Sequence, residues 1–280
     1  MESLKYLYRI GRGPSSSHTM GPNNACIYFL NRYKNINHVK VTLYGSLAFT
    51  GKGHLTDEII IKTFDKIPCE VIFDYKTEKE FANTMLFEVF LDSGEIITKE
   101  IYSIGGGAIK FKGDDDFVHP DIYKEKNLSE IINVCKQNNW RIYEYCYKCE
   151  GEEIKDYLRL VWHTMLDSIN RGIHATGKLP GKLNIDRKAN MFLNPNHDNE
   201  SIPSRSYRLM SCYAFAVGEE NASGGIIVTA PTCGSAGVLP AALYSYKHDV
   251  GVSEKEIIKC LAVAGLIGLI IKIKMFIRIR

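Results

Sequence analysis

The chain has 280 residues, of which 45% are hydrophobic and 24% are charged, a balance typical of globular proteins. This length is sufficient for one large domain or two domains of medium size, each with its own hydrophobic core. The formal net charge of +3 at pH 7 is too small to indicate a nucleic-acid partner or an anionic membrane surface.

Cysteine usage and hydropathy predict a reducing compartment. The eight cysteines follow no disulfide-scaffold spacing, and no apolar signal segment follows Met1, so we expect a cytoplasmic protein with free thiols. The longest apolar run, Leu261–Ile271, has 11 residues, whereas a membrane-spanning helix needs roughly 20. We therefore expect no membrane-spanning segment.

The first distinctive stretch, Gly11–Pro22, carries three consecutive serines, a histidine and a threonine between two Gly-Pro steps. It predicts a loop that leads into a helix starting near Gly21 or Pro22. Unpaired backbone N–H groups at such a helix start, together with hydroxyls, favour an anionic ligand. Because no Gly-Lys-Ser/Thr follows, the stretch does not match a phosphate-binding P-loop, and a small carboxylate is the better ligand. The alternative is a flexible serine-rich loop that only caps the helix.

Residues 1–111 are predicted to form an α/β domain. The alternation of apolar and polar residues in Val39–Tyr44 is typical of a half-buried strand. Gly45–Asp57 is glycine-rich and includes Lys52 and His54, and Asp92–Glu95 has the composition of a hairpin turn. The other predicted elements are a short amphipathic segment at 4–8, helices at 25–33 and 55–66, and strands at 69–73, 85–91 and 96–102.

Residues 112–126 are predicted to be a linker, because they are polar and contain Pro120. The three aspartates at 114–116 are interpreted as solvated linker, since no further oxygen ligands occur at calcium-loop spacing. From residue 127 to 280 the pattern predicts a mostly helical domain. Asn127 and Glu130 have the spacing of a capping box, and Ser253 caps the last helix. The predicted helices include 152–170, 210–217 and 257–271.

A single cysteine, Cys233, lies in a turn rich in glycine and serine. The apolar run Ile226–Val228 precedes the turn, and a helix is predicted to open at Val238 with Pro240 in its first turn. A helix N-terminus near a thiol lowers the pKa of that thiol and favours the thiolate, which binds metals. The alternative is a buried structural cysteine.

A second cysteine pattern, Cys146-Tyr147-Lys148-Cys149, has the C-x-x-C spacing of redox and zinc sites. No second C-x-x-C or histidine pair occurs at zinc-finger spacing, and the pattern lies in a helical, tyrosine-rich stretch. We therefore interpret this pair as structural.

Five stretches in the same order along the chain resemble the iron–sulfur L-serine dehydratase family, in the single-chain form that joins a β domain to an α domain. The resemblance extends from about Met1 to Lys272. The stretches that carry it are Gly13–Pro22, Leu43–Asp57, Ser103–Ala108, Glu220–Gly225 and Thr229–Leu243.

This resemblance implies a fold and a reaction. The fold is α+β, with an N-terminal α/β substrate-binding-like domain followed by a mostly α-helical catalytic domain. The reaction is elimination of water from L-serine, after which 2-aminoacrylate hydrolyses to pyruvate and ammonia. A [4Fe–4S] cluster with three cysteine ligands leaves one iron open, and that iron acts as a Lewis acid on the substrate hydroxyl. Separately from the resemblance, we consider a homodimer as the assembly of this chain.

The resemblance also implies site residues. It assigns Cys233 to the cluster, and it assigns the substrate carboxylate to the serine-rich loop of the other domain, so that two domains close on one substrate. It does not identify the catalytic base. The candidate substrate-binding residues are Ser15, Ser16, Ser17, His18, Thr19, Lys52 and His54.

The chain departs from the family pattern at two places. Family members often carry a second cysteine at the position of Ala236, which puts the role of Cys233 in doubt. Past Leu266–Lys272 the family continues with a segment that contains further cluster ligands, whereas this chain has an alternating basic and apolar tail. We therefore expect a truncated helical domain, through a frameshift or a premature stop.

Two other hypotheses follow from this expectation. One is an inactive chain that retains only binding of a small amino acid or hydroxy acid in the N-terminal domain. The other is a misfolded fragment, in which the apolar helix Leu261–Ile271 is exposed.

Overall fold

A computed structural model describes residues 1–113, 120–181, 183–194 and 199–277, with side chains described as far as residue 273. The chain divides into two compact units. One unit is Gly11–Phe117, and the other combines Met1–Ile10 with Val118–Arg280. The first unit is built on a β-sheet and the second is mostly helical, which confirms the predicted α+β class.

The unit Gly11–Phe117 contains a five-stranded sheet with the strand order β3-β2-β4-β5-β6. Strands β2 and β3 are parallel, and the other neighbours are antiparallel. A short strand, β1 (Ile10–Arg12), precedes them. The sheet strands are β2 (Ile36–Tyr44), β3 (Cys69–Asp74), β4 (Thr84–Leu91), β5 (Ile96–Gly105) and β6 (Ala108–Phe111).

The described residues of this unit include three α-helices: α1 (Gly21–Arg32), α2 (Gly45–Thr50) and α3 (Thr56–Phe64). Alternate residues of β2, among them Val39 and Val41, are buried in one core with apolar residues of α1 and α3. The intervening residue Lys40 instead forms an ion pair with Glu88 of β4 at 3.2 Å. The period of two along β2 therefore separates an apolar core face from a polar face.

The structure of this unit contains the predicted helices and strands and several short elements that the sequence did not predict. The predicted helices and strands occur with shifts of a few residues at their ends. The structure adds α2, a 3-10 helix at Gly51–His54, and β6. These additions were missed because each has only four to six residues, too few for a periodic pattern to be recognised.

The helical unit contains seven α-helices within the described residues, and one short strand, β7 (Ile226–Val228). The Asn127 side chain caps the first helix by accepting a hydrogen bond from the Glu130 N–H at 3.0 Å, as predicted. The helices are α4 (Leu128–Asn138), α5 (Ile142–Glu150), α6 (Ile154–His174), α7 (Ala189–Leu193), α8 (Ile202–Ala222), α9 (Val238–Val250) and α10 (Glu254–Ile277).

The first ten residues pack with the helical unit, although the predicted first domain included them. Leu4 and Tyr8 are buried in the same core as Trp162 of α6 and Leu261 of α10. The Tyr8 hydroxyl donates a hydrogen bond to the Leu261 carbonyl oxygen at 2.9 Å. A side chain at Gly265 would lie 2.8 Å from atoms of both Leu4 and Tyr8, so this glycine permits the close approach.

Helix α10 is packed rather than exposed. Leu261, Leu266 and Leu269 are buried in the core, which contradicts the expectation of an exposed apolar helix. The helix also continues to Ile277, beyond the predicted end near residue 271. Among the described residues, no helix combines the length and the hydropathy required to cross a membrane.

The predicted linker is partly packed. Tyr123 is fully buried in the helical core, and the N–H groups of Ile122 and Tyr123 donate hydrogen bonds to the Met1 carbonyl oxygen at 2.8 and 2.9 Å. The apolar residues Ile122 and Tyr123 therefore anchor the second half of the predicted linker. The aspartates at 114–116 lie outside the described residues.

Candidate functional site

The serine-rich stretch forms an ordered helical turn rather than a loop. Ser16–Met20 is a π-helical turn that continues directly into α1, which starts at Gly21 as predicted. The Ser15 carbonyl oxygen accepts hydrogen bonds from the N–H groups of Thr19 and Met20 at 3.0 Å each. The Ser15 Oγ accepts a further bond from the His18 N–H at 3.1 Å. Ser15 is therefore the cap of this turn.

Buried hydroxyl groups fix the turn from neighbouring segments. The Ser103 Oγ donates to the Ser17 carbonyl oxygen at 2.7 Å, and the Thr56 Oγ1 donates to the His18 carbonyl oxygen at 2.6 Å. The Thr19 Oγ1 in turn donates to the His54 carbonyl oxygen at 2.7 Å. The turn is thus bound to β5, to α3 and to the glycine-rich stretch around His54.

Ser16 keeps its hydrogen-bonding groups available. Within the described residues, the Ser16 hydroxyl and the backbone N–H groups of Ser16 and Ser17 make no hydrogen bond. The other hydroxyls of the turn have partners in the protein. Three neighbouring donors without protein partners are suited to an anionic group such as a carboxylate.

His18 is held at both ring nitrogens. Its Nδ1 lies 2.9 Å from the Ser17 Oγ, and its Nε2 lies 3.0 Å from the Ser46 Oγ. Burial lowers the pKa of His18, the neighbouring His54 lowers that pKa further, and hydrogen bonding to Ser46 partly offsets both effects. The His18 and His54 rings have their centroids 4.7 Å apart. The site therefore favours the uncharged form of His18.

His54 lies at the same site with a different hydrogen-bonding pattern. Its Nδ1 donates to the Thr50 carbonyl oxygen at 2.9 Å, and a carbonyl oxygen can only accept. In the neutral ring the proton is therefore on Nδ1, and Nε2 carries a lone pair without a partner among the described residues. Lys52 is exposed, and its Nζ lies 5.4 Å from the centroid of the Phe73 ring. No described contact joins Lys52 to the serine-rich turn.

The lowered pKa of His18 predicts a pH dependence of stability. A group whose pKa falls on folding stabilises the fold fully above its unfolded value, near 6.5, and this stabilisation is lost as the pH falls through the folded value. We expect His18→Gln to be more destabilising at pH 8 than at pH 5 in urea unfolding. The matched control is His174→Gln at an exposed site of α6. Equal effects of His18→Gln at both pH values would contradict the prediction.

Cys233 lies in a separate turn of the helical unit. The Cys233 carbonyl oxygen accepts a hydrogen bond from the Ala236 N–H at 3.1 Å, and the Ser235 Oγ donates to the Ala230 carbonyl oxygen at 2.8 Å. Burial raises the pKa of the Cys233 thiol to about 12, and this residue is 3% exposed. The expected lowering of the pKa is therefore wrong, because burial disfavours the charged thiolate, and α9 starts only five positions later, at Val238.

Comparisons with known proteins cover nearly the whole chain. The serine dehydratase beta chain model matches residues 3–66, and the serine dehydratase alpha chain model matches residues 71–278, more than half of the chain. The chain belongs to the serine dehydratase family. This family member is 32% identical to L-serine dehydratase TdcG of Escherichia coli K12, over 95% of this chain and 71% of the relative.

Two further relatives of this family member have similar coverage. The L-serine dehydratase of Haemophilus influenzae is 32% identical over 97% of this chain and 72% of the relative. The L-serine dehydratase of Streptomyces coelicolor is 31% identical over 95% of this chain and 70% of the relative. The matched relatives are thus longer than this chain.

Membership of the serine dehydratase family suggests a metal cofactor, yet the described residues of this chain supply few ligands. Among them, no group of three or more His, Cys, Asp and Glu side chains is arranged to hold a metal ion. The Cys212 thiol instead donates to the Ala189 carbonyl oxygen at 3.1 Å, and the Cys146 thiol donates to the Ala262 carbonyl oxygen at 3.5 Å. The donor set described here does not fit a cluster held by three cysteines of this chain.

The C-x-x-C pair lies on α5 and has features of packing residues. Cys146 is fully buried, Cys149 is half-buried, and both are free thiols. Burial raises the pKa of Cys146 to about 12. A thiol with so high a pKa is a poor nucleophile at neutral pH.

Sequence reasoning missed the residues that support the serine-rich turn. Ser46, Thr56 and Ser103 contact the turn through their hydroxyls, and no charge or periodicity distinguishes them. The sequence feature that could have identified these three residues is their position in two glycine-rich stretches. Small residues in such stretches allow chain segments to approach each other closely.

Proposed function

We propose that this chain is an L-serine ammonia-lyase, which eliminates water from L-serine to give 2-aminoacrylate, and that the product then hydrolyses to pyruvate and ammonia. The observation that carries this proposal is the match to L-serine dehydratases over more than nine-tenths of the chain. The proposal includes a cytoplasmic location, where the eight thiols stay reduced. The similarity favours an enzyme over the inactive binding module considered above.

The proposed role of the serine-rich turn is to bind the carboxylate of L-serine. Ser16 is the proposed contact, because its hydroxyl and N–H have no partners among the described residues, whereas Ser15 caps the turn. The Ser17 Oγ and the His18 Nδ1 form a hydrogen bond with each other, so the proposed role of these two residues is to maintain the conformation of the turn. Neutral donors can bind a carboxylate strongly where water is partly excluded.

The proposed role of His54 is to accept a proton at Nε2. This nitrogen is unprotonated in the neutral ring, because the bond from Nδ1 to Thr50 fixes the tautomer. A neutral imidazole with a free lone pair is suited to remove the weakly acidic α-proton of an amino acid. His54 is half-buried, so a small substrate can reach it. We propose Lys52 only as a contact with L-serine at the edge of this site.

A [4Fe–4S] cluster is the proposed cofactor, with Cys233 as one ligand. If bound, a cluster with an open iron would supply Lewis acidity toward the substrate hydroxyl, which otherwise departs as hydroxide, a poor leaving group. Because the described donor set does not fit three cysteine ligands from this chain, we assign no step of the reaction to the cluster.

The test of the proposed function is production of pyruvate from L-serine. The full chain is reconstituted anaerobically with iron and sulfide, its iron content is measured, and pyruvate is assayed with L-serine and, as a control, with D-serine. We expect pyruvate from L-serine alone. A chain that carries iron and binds L-serine but releases no pyruvate would overturn the proposal.

Removal of the Ser16 hydroxyl is expected to weaken binding of L-serine. A hydrogen bond to a charged group contributes about 1.5–3 kcal/mol, so Ser16→Ala should raise the Kd for L-serine about 10- to 100-fold. Isothermal titration calorimetry measures this change. Ser93→Ala, in the exposed turn between β4 and β5, is the matched control and should leave the Kd unchanged. An unchanged Kd for Ser16→Ala would remove Ser16 from the site.

A further inference from the structure

Ser46 lies at the junction between β2 and α2, where the backbone is tightly constrained. Gly45, which precedes it, has a φ of +52°, and a side chain there would lie 2.5 Å from the Ala82 carbonyl oxygen. The Ser46 N–H donates to the same oxygen at 2.7 Å. The position of Ser46 is therefore fixed by the loop before β4 and not by the serine-rich turn.

The Ser46 hydroxyl is the partner of one ring nitrogen of a buried histidine. The Ser46 Oγ lies 3.0 Å from His18 Nε2, while the Ser17 Oγ lies 2.9 Å from His18 Nδ1. His18 is 9% exposed. A neutral imidazole has one donor and one acceptor, and a hydroxyl can serve either, so the two serines together satisfy the ring.

The hydroxyls of Ser17 and Ser46 lie on different segments of the unit. Ser17 belongs to the same turn as His18, whereas Ser46 lies in α2, on a different segment of the unit. The contact to Ser46 is therefore the one that fixes the ring relative to the sheet. Without it, the buried Nε2 loses its side-chain partner, and the ring can turn toward another one. That movement would disturb Ser17 and the neighbouring His54 ring, whose centroid is 4.7 Å away.

We infer that Ser46 is a positioning residue, which holds the His18 ring and thereby keeps the Ser16–Ser17 segment and His54 in the arrangement that binds L-serine. This inference rests on the proposed function for its ligand. The proposed effect of Ser46 on the orientation of the His18 ring, however, can be tested without any ligand.

The test compares Ser46→Thr with Ser46→Val, two side chains of nearly the same shape of which only threonine has a hydroxyl. Ser46→Ala is a third variant without added volume. In the full chain, with histidines labelled with nitrogen-15, NMR reports the tautomer of the His18 ring, and His18→Gln identifies its signals. Calorimetry then gives the Kd for L-serine of each variant.

We expect Ser46→Val and Ser46→Ala to change the His18 ring signals and to raise the Kd about tenfold, while Ser46→Thr retains both properties. Ring signals that stay unchanged in the valine and alanine variants would overturn the inference, as would changed signals with an unchanged Kd. If the wild-type chain does not bind L-serine at all, binding by the proposed site fails, whereas the ring signals still decide whether Ser46 orients His18.

Discussion

Replacement of Gly172 by alanine is expected to destabilise the helical unit by about 3 kcal/mol. Gly172 lies in α6, and a side chain there would lie 2.1 Å from the Ala216 carbonyl oxygen of α8. Because that atom belongs to the backbone, it cannot turn aside, and the two helices must separate. Urea unfolding followed by circular dichroism measures the change in the free energy of unfolding.

The expected sign is opposite to that given by helix propensity. In an open helix, glycine to alanine stabilises by roughly 1 kcal/mol. Gly218 is the matched control, since it lies in α8 and, in the part of the chain that the structure describes, no atom outside the neighbouring turns of α8 lies within 4 Å of an added side chain. Gly218→Ala should therefore stabilise the chain. A Gly172→Ala variant as stable as Gly218→Ala would show that α6 and α8 do not approach each other so closely.

Replacement of Gly21 by alanine is expected to abolish most of the binding of L-serine proposed for the serine-rich turn. An added side chain would lie 2.2 Å from the Ser103 Oγ, the atom that donates to the Ser17 carbonyl oxygen. Ser103 is fully buried, so its hydroxyl has little space to move. Loss of this bond frees the turn on one side, and we expect the Kd for L-serine to rise at least about 10-fold.

The control for Gly21→Ala is a glycine of the neighbouring stretch. Among the described residues outside its own helical turn, no atom lies within 4 Å of a side chain added at Gly53, so Gly53→Ala should leave the Kd nearly unchanged. Calorimetric titration of both variants with L-serine decides the matter, after circular dichroism has shown that both are folded. Equal affinities of the two variants would mean that the bond from Ser103 does not shape the site.

The sequence predicts those parts of the fold in which local pattern and packing agree. Val39, Val41 and Leu43 alternate with polar residues, and all three are buried in the core of the sheet. The spacing of Leu158, Val161 and Met165 likewise predicts the buried stripe of α6. In both cases the apolar residues recur with the repeat of the strand or the helix itself. The element and its buried face can therefore be predicted without knowledge of residues far away in the chain.

The candidate site is predictable only in part, because its geometry depends on residues far apart in the chain. The motif around Ser16 predicts a group of donors, but the bond from Ser103 to Ser17 joins residues 86 positions apart. The pKa of Cys233 is a second example. The nearby helix start is visible in the sequence, whereas the burial that dominates its pKa depends on the packing of the whole unit.

The packing of the first residues against α10 has a consequence for the order of events during synthesis. Tyr8 and Leu261, which are joined by a hydrogen bond, are 253 positions apart in the chain. At a synthesis rate of about 5–20 residues per second, roughly 13–50 s therefore pass between the synthesis of Tyr8 and the synthesis of Leu261. During this time all of Gly11–Phe117 is synthesised. The apolar side chains of the first segment are thus made well before the helix α10 whose core they share.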